Sequence, residues 1–165
     1  MSNSQLQINE VCSDNDELLE SNNGEYYDWI EIYNSSDNSV QLSDYYLSDD
    51  KDELEQWNFK NEMLLARSFV IVFASKSKEP ITGEQHANFK LSSKGETLYL
   101  SNGGGLIDTM EFGAINEDYS SGRLEENSQI KTHLAKPTPN ESNSKSGTII
   151  ANRGSGYYDD EFDLN

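Results

Sequence analysis

The run DWIEIYN at residues 28–34 has the clearest β-strand pattern in this chain. Apolar and polar residues alternate along it, and an alternation with a period of two is typical of a half-buried β-strand. Ile30 and Ile32 therefore face the predicted core, whereas Glu31 lies between two aromatic residues on the opposite face. The run predicts a strand with one core face and one face that carries a carboxylate.

Runs of similar length lie on both sides of this strand. LQINEV at residues 6–11 predicts a strand with a bend near Asn9, and FVIVFA at residues 69–74 is apolar on both faces, as a covered central strand should be. TLYLS at residues 97–101 and LIDTMEF at residues 106–112 enclose NGGG, whose glycines supply the positive φ angles of a tight hairpin. No long helix is visible, and short strands separated by polar turns are typical of an all-β sandwich.

Length and charge restrict the function classes. The chain has 165 residues, enough for one domain with tails, and its 30 acidic and 12 basic residues give a net charge of -18. Such a surface repels nucleic acid and anionic membranes, because both bind through Lys and Arg. There is no apolar run near 20 residues and no signal peptide, so we expect a protein that stays inside the cell or an excised piece. The chain has a single cysteine, Cys12, which we expect to be a small buried hydrophobic residue on the first strand.

The domain organisation follows from a change in composition. From Lys136 onward Pro, Ser, Asn and Gly dominate, which is typical of a linker, and TIIA at residues 148–151 resembles an opening strand of a further domain. The predicted organisation is a disordered N-terminus over residues 1–4, the sandwich over 5–140, a linker over 141–155 and the truncated beginning of a further β-domain over 156–165.

Six ordered groups of residues carry a resemblance to a known family. They are INEV at 8–11, DWIEIYN at 28–34, LSDYYLSDD at 42–50, FAS at 73–75, HANFKLS at 86–92 with GETL at 95–98, and YSSGR at 119–123. In this order they resemble the lamin tail domain family in its bacterial secreted and surface form. The resemblance implies an immunoglobulin-like β-sandwich, and the end of the chain is similar to the start of a chitobiase C-terminal-like β-domain.

Two departures from the family pattern concern loops. Residues 60–68 contain neither the Pro nor the Gly that members usually carry there, and the secondary structure of residues 61–66 is ambiguous. Asn140 stands where the pattern tends to have Gly. The filament and chromatin roles of animal lamins are not carried over, because the chain has no heptad rod and the wrong charge for DNA.

Candidate catalytic groups are few. The only histidines are His86 and His133, and no nucleophile elbow, zinc-protease motif or phosphate-binding loop is present. We expect His86 to hydrogen-bond a neighbouring loop. Among the carboxylates, Glu31 is the best candidate for a raised pKa, although pairing with a Lys, an Arg or a backbone donor is its more ordinary role. We predict no catalytic residues and no enzyme activity.

Calcium is the better hypothesis for the acidic loops, because hard cations bind gathered carboxylate and carbonyl oxygens. The speculative metal ligands are Asp14 and Asp16 in one loop, and Asp49, Asp50 and Asp52 in another. Neither loop fits the spacing of a calcium-binding loop motif, so solvated acidic loops are the alternative.

Paired tyrosines suggest a ligand-contacting face, because aromatic rings stack on sugars and also satisfy polar edges. The candidates are Tyr26, Tyr27, Tyr45 and Tyr46, with one residue of each pair expected to point outward. Packing in the core is the alternative for these residues, and it is the expected role of Trp29 and Trp57.

Three functions remain open at this point. The leading one is a non-catalytic interaction or spacer module of a larger extracellular or cell-surface protein, with protein or glycan as its partner. The second is an accessory binding domain of a multidomain enzyme whose catalytic part lies outside this chain. The third, an autonomous hydrolase, would need convergent carboxylates in a pocket.

Overall fold

The computed structural model describes residues 5–79, 81–123, 131–134, 136–146 and 149–150. Two short 3₁₀ turns, Leu42–Asp44 and Asn143–Ser146, are the only helical elements among these residues. None of the described elements is a helix with the length and apolarity that a membrane crossing needs. The strands in chain order are β1 (Leu6–Cys12), β2 (Trp29–Asn34), β3 (Val40–Gln41), β4 (Tyr45–Ser48), β5 (Trp57–Asn58), β6 (Met63–Leu64), β7 (Phe69–Phe73), β8 (Gln85–His86), β9 (Gly95–Asn102), β10 (Gly105–Gly113), β11 (Ser120–Arg123), β12 (Lys131–Leu134) and β13 (Ile149–Ile150).

The strands form two main layers. The larger sheet has the order β13-β12-β11-β1-β2-β7-β8, the smaller sheet has the order β10-β9-β4-β5, and β3 pairs with β6 beside them. All pairs are antiparallel except β7 with β8. The chain is an all-β, immunoglobulin-like sandwich, which confirms the predicted fold class.

The predicted alternation of β2 is confirmed. Ile30 and Ile32 are fully buried on the core side, and Glu31 lies opposite Ile71 of β7 on the other face. The predicted bend near Asn9 is present as an irregularity in the pairing of β1 with β2 between Ile8 and Glu10. Such a bulge turns the strand and redirects its side chains.

The core fills the space between the two layers with aliphatic and aromatic side chains. Burial of this apolar surface is the main favourable contribution to folding. Its fully buried members include Leu6, Ile8, Ile30, Ile32, Val72, Leu42, Leu47, Leu98, Leu100 and Met110.

The predicted hairpin joins β9 and β10. Asn102 pairs with Gly105, whose φ of 117° is one that a side chain other than glycine rarely adopts. Gly95, at the other end of β9, has a φ of 96°, and a Cβ there would lie 2.3 Å from the carbonyl oxygen of Phe112. Both positions therefore require glycine.

The loop whose path the sequence left open forms β6. Met63 pairs with Gln41 and Leu64 with Val40. Leu64 is buried, whereas Met63 is exposed to 53% and its neighbour Leu65 to 62%. The path of residues 60–68, which contain no Pro or Gly, is thus set by the pairing of β6 with β3.

A buried ion pair joins the two layers. The Arg123 guanidinium on β11 donates to Asp108 of β10 at 2.6 Å and to the carbonyl oxygen of Ile8 at 2.9 Å. Asp108 also accepts the backbone N–H of Ile8 at 2.8 Å. Arg123 is only 1% exposed, so the Asp108 carboxylate helps to offset the cost of burying its charge.

The C-terminal part differs from the prediction. Ile149–Ile150 pairs with His133 and Leu134 and so adds a strand to the larger sheet. The predicted linker begins at residue 141, yet Asn143 is fully buried, because backbone and side-chain donors and acceptors of the sandwich surround it. The predictions for residues 1–4 and 151–165 lie outside the described residues.

We expect Asp108→Ala to lower the free energy of unfolding by about 3 kcal/mol, because it takes the Asp108 carboxylate away from the buried Arg123 guanidinium. Asp37→Ala is the matched control, since Asp37 pairs with Arg67 at the exposed surface, and it should cost less than about 1 kcal/mol. Urea unfolding followed by tryptophan fluorescence measures both. Equal losses in the two variants would contradict a special role for the buried pair.

Candidate functional site on the outer face of the larger sheet

The outer face is the side of the larger sheet that points away from the smaller sheet. Side chains reach it from alternate positions of the strands, and neighbouring residues there are Glu10 on β1, Glu31 on β2 and Ile71 on β7. Polar and apolar groups therefore share this face, and chain segments outside the strands cover parts of it.

A second small core occupies one end of the outer face. Cys12, Trp29 and Phe73 are buried there beneath Leu18, Leu19 and Tyr27 of the preceding loop. This confirms the expected burial of Cys12 and the packing role of Trp29. Burial raises the pKa of the Cys12 thiol to about 12, so the thiol is protonated at neutral pH and is no nucleophile.

Asn15 fixes the loop over this second core. Its Nδ2 donates to the carbonyl oxygens of Leu19 and Tyr27, both at 2.7 Å. Its Oδ1 accepts the backbone N–H groups of Leu18 and Leu19. One buried amide thus holds the chain on the outer face.

Two buried carboxylates lie side by side in the middle of the outer face. Glu10 and Glu31 pair across β1 and β2, and both are fully buried. Glu10 accepts hydrogen bonds from the Ser120 hydroxyl at 2.5 Å, the Thr138 N–H at 2.8 Å and the Thr138 hydroxyl at 2.9 Å. Burial raises the pKa of Glu10, and these hydrogen bonds act in the opposite direction.

Glu31 has its own donors. The amide of Asn9 donates to it at 3.0 Å and the backbone N–H of Asn140 at 2.5 Å. The pairing with a backbone donor that we set against a catalytic role for Glu31 is therefore observed.

The C-terminal strap, residues 136–146, supplies most of these donors. Asn143 secures it by donating to the carbonyl oxygens of Asn9 at 3.1 Å and Arg123 at 2.7 Å, while its Oδ1 accepts from Thr138. A Cβ at Gly122 would lie 3.0 Å from the Asn143 amide nitrogen and 2.7 Å from the carbonyl oxygen of Asn9. The strap therefore fits closely over a glycine in β11.

Little in the sequence indicates this arrangement. The strap consists of polar residues whose composition is that of a linker, and only the buried acceptors beneath it reveal its role. Sequence reasoning therefore missed Glu10 and Asn143, whose side chains hold the strap on the sheet. The bulge between Ile8 and Glu10 turns Glu10 away from the core face of Leu6 and Ile8, and the bend predicted near Asn9 was the one available signal.

His86 lies at the centre of a separate network at the β8 edge. Its Nδ1 lies 2.9 Å from the Ser75 hydroxyl, and its Nε2 lies 2.8 Å from the Glu84 carboxylate. The Ser21 hydroxyl donates to the same carboxylate at 2.7 Å. His86 thus bonds a neighbouring loop, as expected.

This network has the groups of a Ser–His–Glu arrangement, and its histidine ring is buried. The His86 ring is 2% exposed, stacks on Phe73 and meets Tyr27 edge-on. Burial would raise the pKa of Glu84, but the bonds from His86 and the neighbouring loop lower it overall. The second histidine, His133, is half-buried on β12, and burial lowers its pKa.

The four candidate tyrosines are not brought together. Tyr26 and Tyr27 precede β2, where Tyr26 is 41% exposed and Tyr27 packs on Phe73. Tyr45 and Tyr46 lie on β4 of the smaller sheet, and Tyr45 packs against the main core. The structure thus forms no common aromatic face from the two pairs.

The candidate metal ligands also lie in two separate loops. Asp14 and Asp16 follow β1, where Asp118 accepts the backbone N–H of Asp16 at 2.9 Å. In the turn after β4 lie Asp49, Asp50 and Asp52, and the Asp50 carboxylate accepts the N–H of Asp52 at 2.9 Å. In the part of the chain that the structure describes, no three His, Cys, Asp or Glu side chains are placed to hold a metal ion. The calcium hypothesis stays a prediction from composition.

An open groove of about 260 Å³ lies beside the strap on the outer face. Apolar side chains of β7 line it together with three glutamates, and Asn140 of the strap lines it as well. Sequence reasoning missed the three glutamates, since they come from three different loops and share no motif. The lining residues are Leu19, Glu20, Glu62, Phe69, Val70, Ile71, Phe73, Gly83, Glu84, Gln85 and Asn140.

The sequence profile of the Lamin Tail Domain family matches residues 1–114. This chain belongs to the lamin tail domain family. The match covers β1 to β10 of the domain and so includes both layers of the sandwich. Strands β11 to β13 and the strap follow the matched region. No curated protein matches this lamin tail domain significantly.

Glu10→Gln should change how stability depends on pH. Because the pKa of Glu10 is raised in the folded domain, its contribution is fully present below the ordinary value of 4.5 and is lost as pH rises through the folded pKa. The unfolding free energy of the wild type relative to Glu10→Gln should therefore rise as pH falls from neutral toward 4.5. Urea unfolding across this range measures the difference, and Glu141→Gln controls for losing one surface charge. If the relative stability instead decreased as the pH was lowered, the raised pKa of Glu10 would be contradicted.

Asn143→Ala should loosen the strap while the sandwich stays folded. It removes hydrogen bonds worth about 1 kcal/mol each, so the Thr138 and Asn140 N–H groups should exchange with solvent about tenfold faster or more. Hydrogen exchange followed by NMR gives these rates, with exposed Glu141→Ala as the control. Unchanged exchange in Asn143→Ala would show that other contacts hold the strap.

Proposed function

We propose that this lamin tail domain is a non-catalytic interaction or spacer module of a larger extracellular or cell-surface protein, and that its partner is a protein or a glycan. The observation that carries the proposal is the use of the buried polar groups. Glu10, Glu31 and His86 each hold a loop or the strap through hydrogen bonds, and none of them lines the open groove.

The groove is the feature of the outer face that favours binding. Its floor combines apolar side chains with carboxylates at the margin, and such a concave mixture is typical of ligand sites. The volume of about 260 Å³ suits one side chain or one sugar ring rather than a large cofactor. This supports recognition of a small part of a larger partner.

Charge narrows the class of partner. With a net charge of -18 the chain repels polyanions, so nucleic acid and anionic membrane surfaces are poor candidates. Protein and neutral glycan partners remain compatible with this charge. The proposed extracellular or cell-surface location rests on the resemblance to the bacterial secreted and surface form of the family.

Thermal unfolding of residues 1–165 tests the proposal against neutral oligosaccharides, synthetic peptides of differing charge, and millimolar calcium chloride. A ligand at about 100 times its Kd adds about 2.7 kcal/mol, so a bound glycan or peptide should raise Tm by several degrees. Ile71→Arg, which fills the groove from its floor, should lose that rise relative to its own Tm. A rise with calcium would place binding in the acidic loops.

The non-catalytic part of the proposal has its own measurement. We expect chromogenic esters and glycosides to be hydrolysed no faster with the protein than in buffer. Turnover that disappears in Glu31→Gln or Ser75→Ala would contradict the proposal and identify a hydrolase. Failure of every glycan and peptide to raise Tm would leave only a spacer role.

A further inference from the structure

The groove has an apolar floor built by one strand. Phe69, Ile71 and Phe73 occupy alternate positions of β7 and therefore share the outer face. Leu19 forms one wall, and Asn140 of the strap closes one side. A hydrocarbon chain that lies on this floor would lose contact with water and gain hydrophobic stabilisation.

The margin of the groove is negative. Glu20, Glu62 and Glu84 line it, and no Lys or Arg is among its lining residues. Lys60 lies close by, since its Nζ donates to the carbonyl oxygen of Glu84 at 3.4 Å. The lining residues of the groove themselves carry only negative charges.

The three carboxylates differ in how far they are already engaged. Glu84 accepts from Ser21, Asn22 and His86 and belongs to the His86 network. Among the described residues, the exposed Glu62 carboxylate accepts only the Gln85 amide at 2.8 Å, and the exposed Glu20 carboxylate accepts no hydrogen bond. Glu20 and Glu62 therefore keep acceptor capacity for a partner.

Access to the groove is from the outer face rather than from the sheet edge. At the β8 edge the Gln85 side chain accepts the Lys60 N–H at 2.9 Å and donates to the Lys60 carbonyl oxygen at 3.3 Å. This covers the edge, so a partner cannot simply add a strand there. A peptide partner would therefore reach the groove with a side chain that projects into it.

We propose that the groove binds the arginine or lysine side chain of an extended segment of a partner protein. This inference rests on the proposed function and specifies the class of partner. The apolar stem lies on the β7 floor and the cationic head meets Glu20 and Glu62. Long cationic side chains combine these two properties. A neutral sugar would use the floor but would gain little from the uncompensated charge at the margin.

The test uses the full chain of residues 1–165 and a fluorescein-labelled peptide, Gly-Ser-Leu-Arg-Leu-Ser-Gly, followed by fluorescence anisotropy. A second peptide carries Gln in place of Arg. The groove variant is Glu20→Gln with Glu62→Gln. Its control is Asp52→Asn with Glu55→Gln, which removes two exposed carboxylates from the turn after β4, outside the groove.

We expect the Arg peptide to bind and the groove variant to weaken that binding about tenfold or more, with a change of less than about twofold in the control. The Gln peptide should bind at least about tenfold more weakly than the Arg peptide. Equal weakening in both double variants would overturn the proposal, because general attraction to the net charge would then explain the binding. Equal binding of the two peptides, or no binding of the Arg peptide, would overturn it as well.

The outcome separates this inference from the proposed function. If an oligosaccharide raises Tm while the Arg peptide does not bind, the interaction module stands and the cationic partner is wrong. If neither the oligosaccharides nor any peptide binds, the binding part of the proposed function fails together with this inference. Both groove substitutions are at exposed positions, so their effect on binding is separable from an effect on folding.

Discussion

Two carboxylates without access to water govern the outer face of this sandwich. Glu10 and Glu31 lie opposite each other on neighbouring strands, and their charges can be kept there only if hydrogen-bond donors replace water. The donors come from Asn9 at the bulge of β1, from Ser120 on β11 and from the strap. A local requirement for donors thus determines where a distant part of the chain lies.

The same requirement shapes the groove. Asn140 bonds Glu31 through its backbone and also lines the groove, so the wall beside β7 exists because a buried carboxylate holds the strap. Asn140 has a φ of 62°, a left-handed conformation that asparagine tolerates better than most residues. The family pattern tends to have glycine at this position, and the observed conformation gives the physical reason. The hydrogen bonding of the buried carboxylates therefore determines part of the shape of the groove.

The sequence predicted those parts of the molecule that depend on periodicity and turn chemistry. The faces of β2, the bend near Asn9 and the hairpin before Gly105 all follow from local patterns, and the structure contains each of them. The strap could not be predicted in this way, because its order comes from acceptors more than 100 residues away, as the 128-residue separation of Glu10 and Thr138 shows. The groove could not be predicted for a similar reason, since its glutamates are close in space but far apart in the sequence. Composition alone identified the strap as a linker, and only tertiary contacts show otherwise.

The single cysteine has a use that its burial creates. Cys12 is fully buried beneath the loop that Asn15 holds, and its thiol has a pKa of about 12. A thiol reagent can modify it only after this loop has lifted from the sheet, because the reactive thiolate does not form in the closed state. The rate of labelling at the Cys12 sulfur therefore reports how often this loop opens. Local opening of the outer face can thus be measured without introducing a cysteine by mutation.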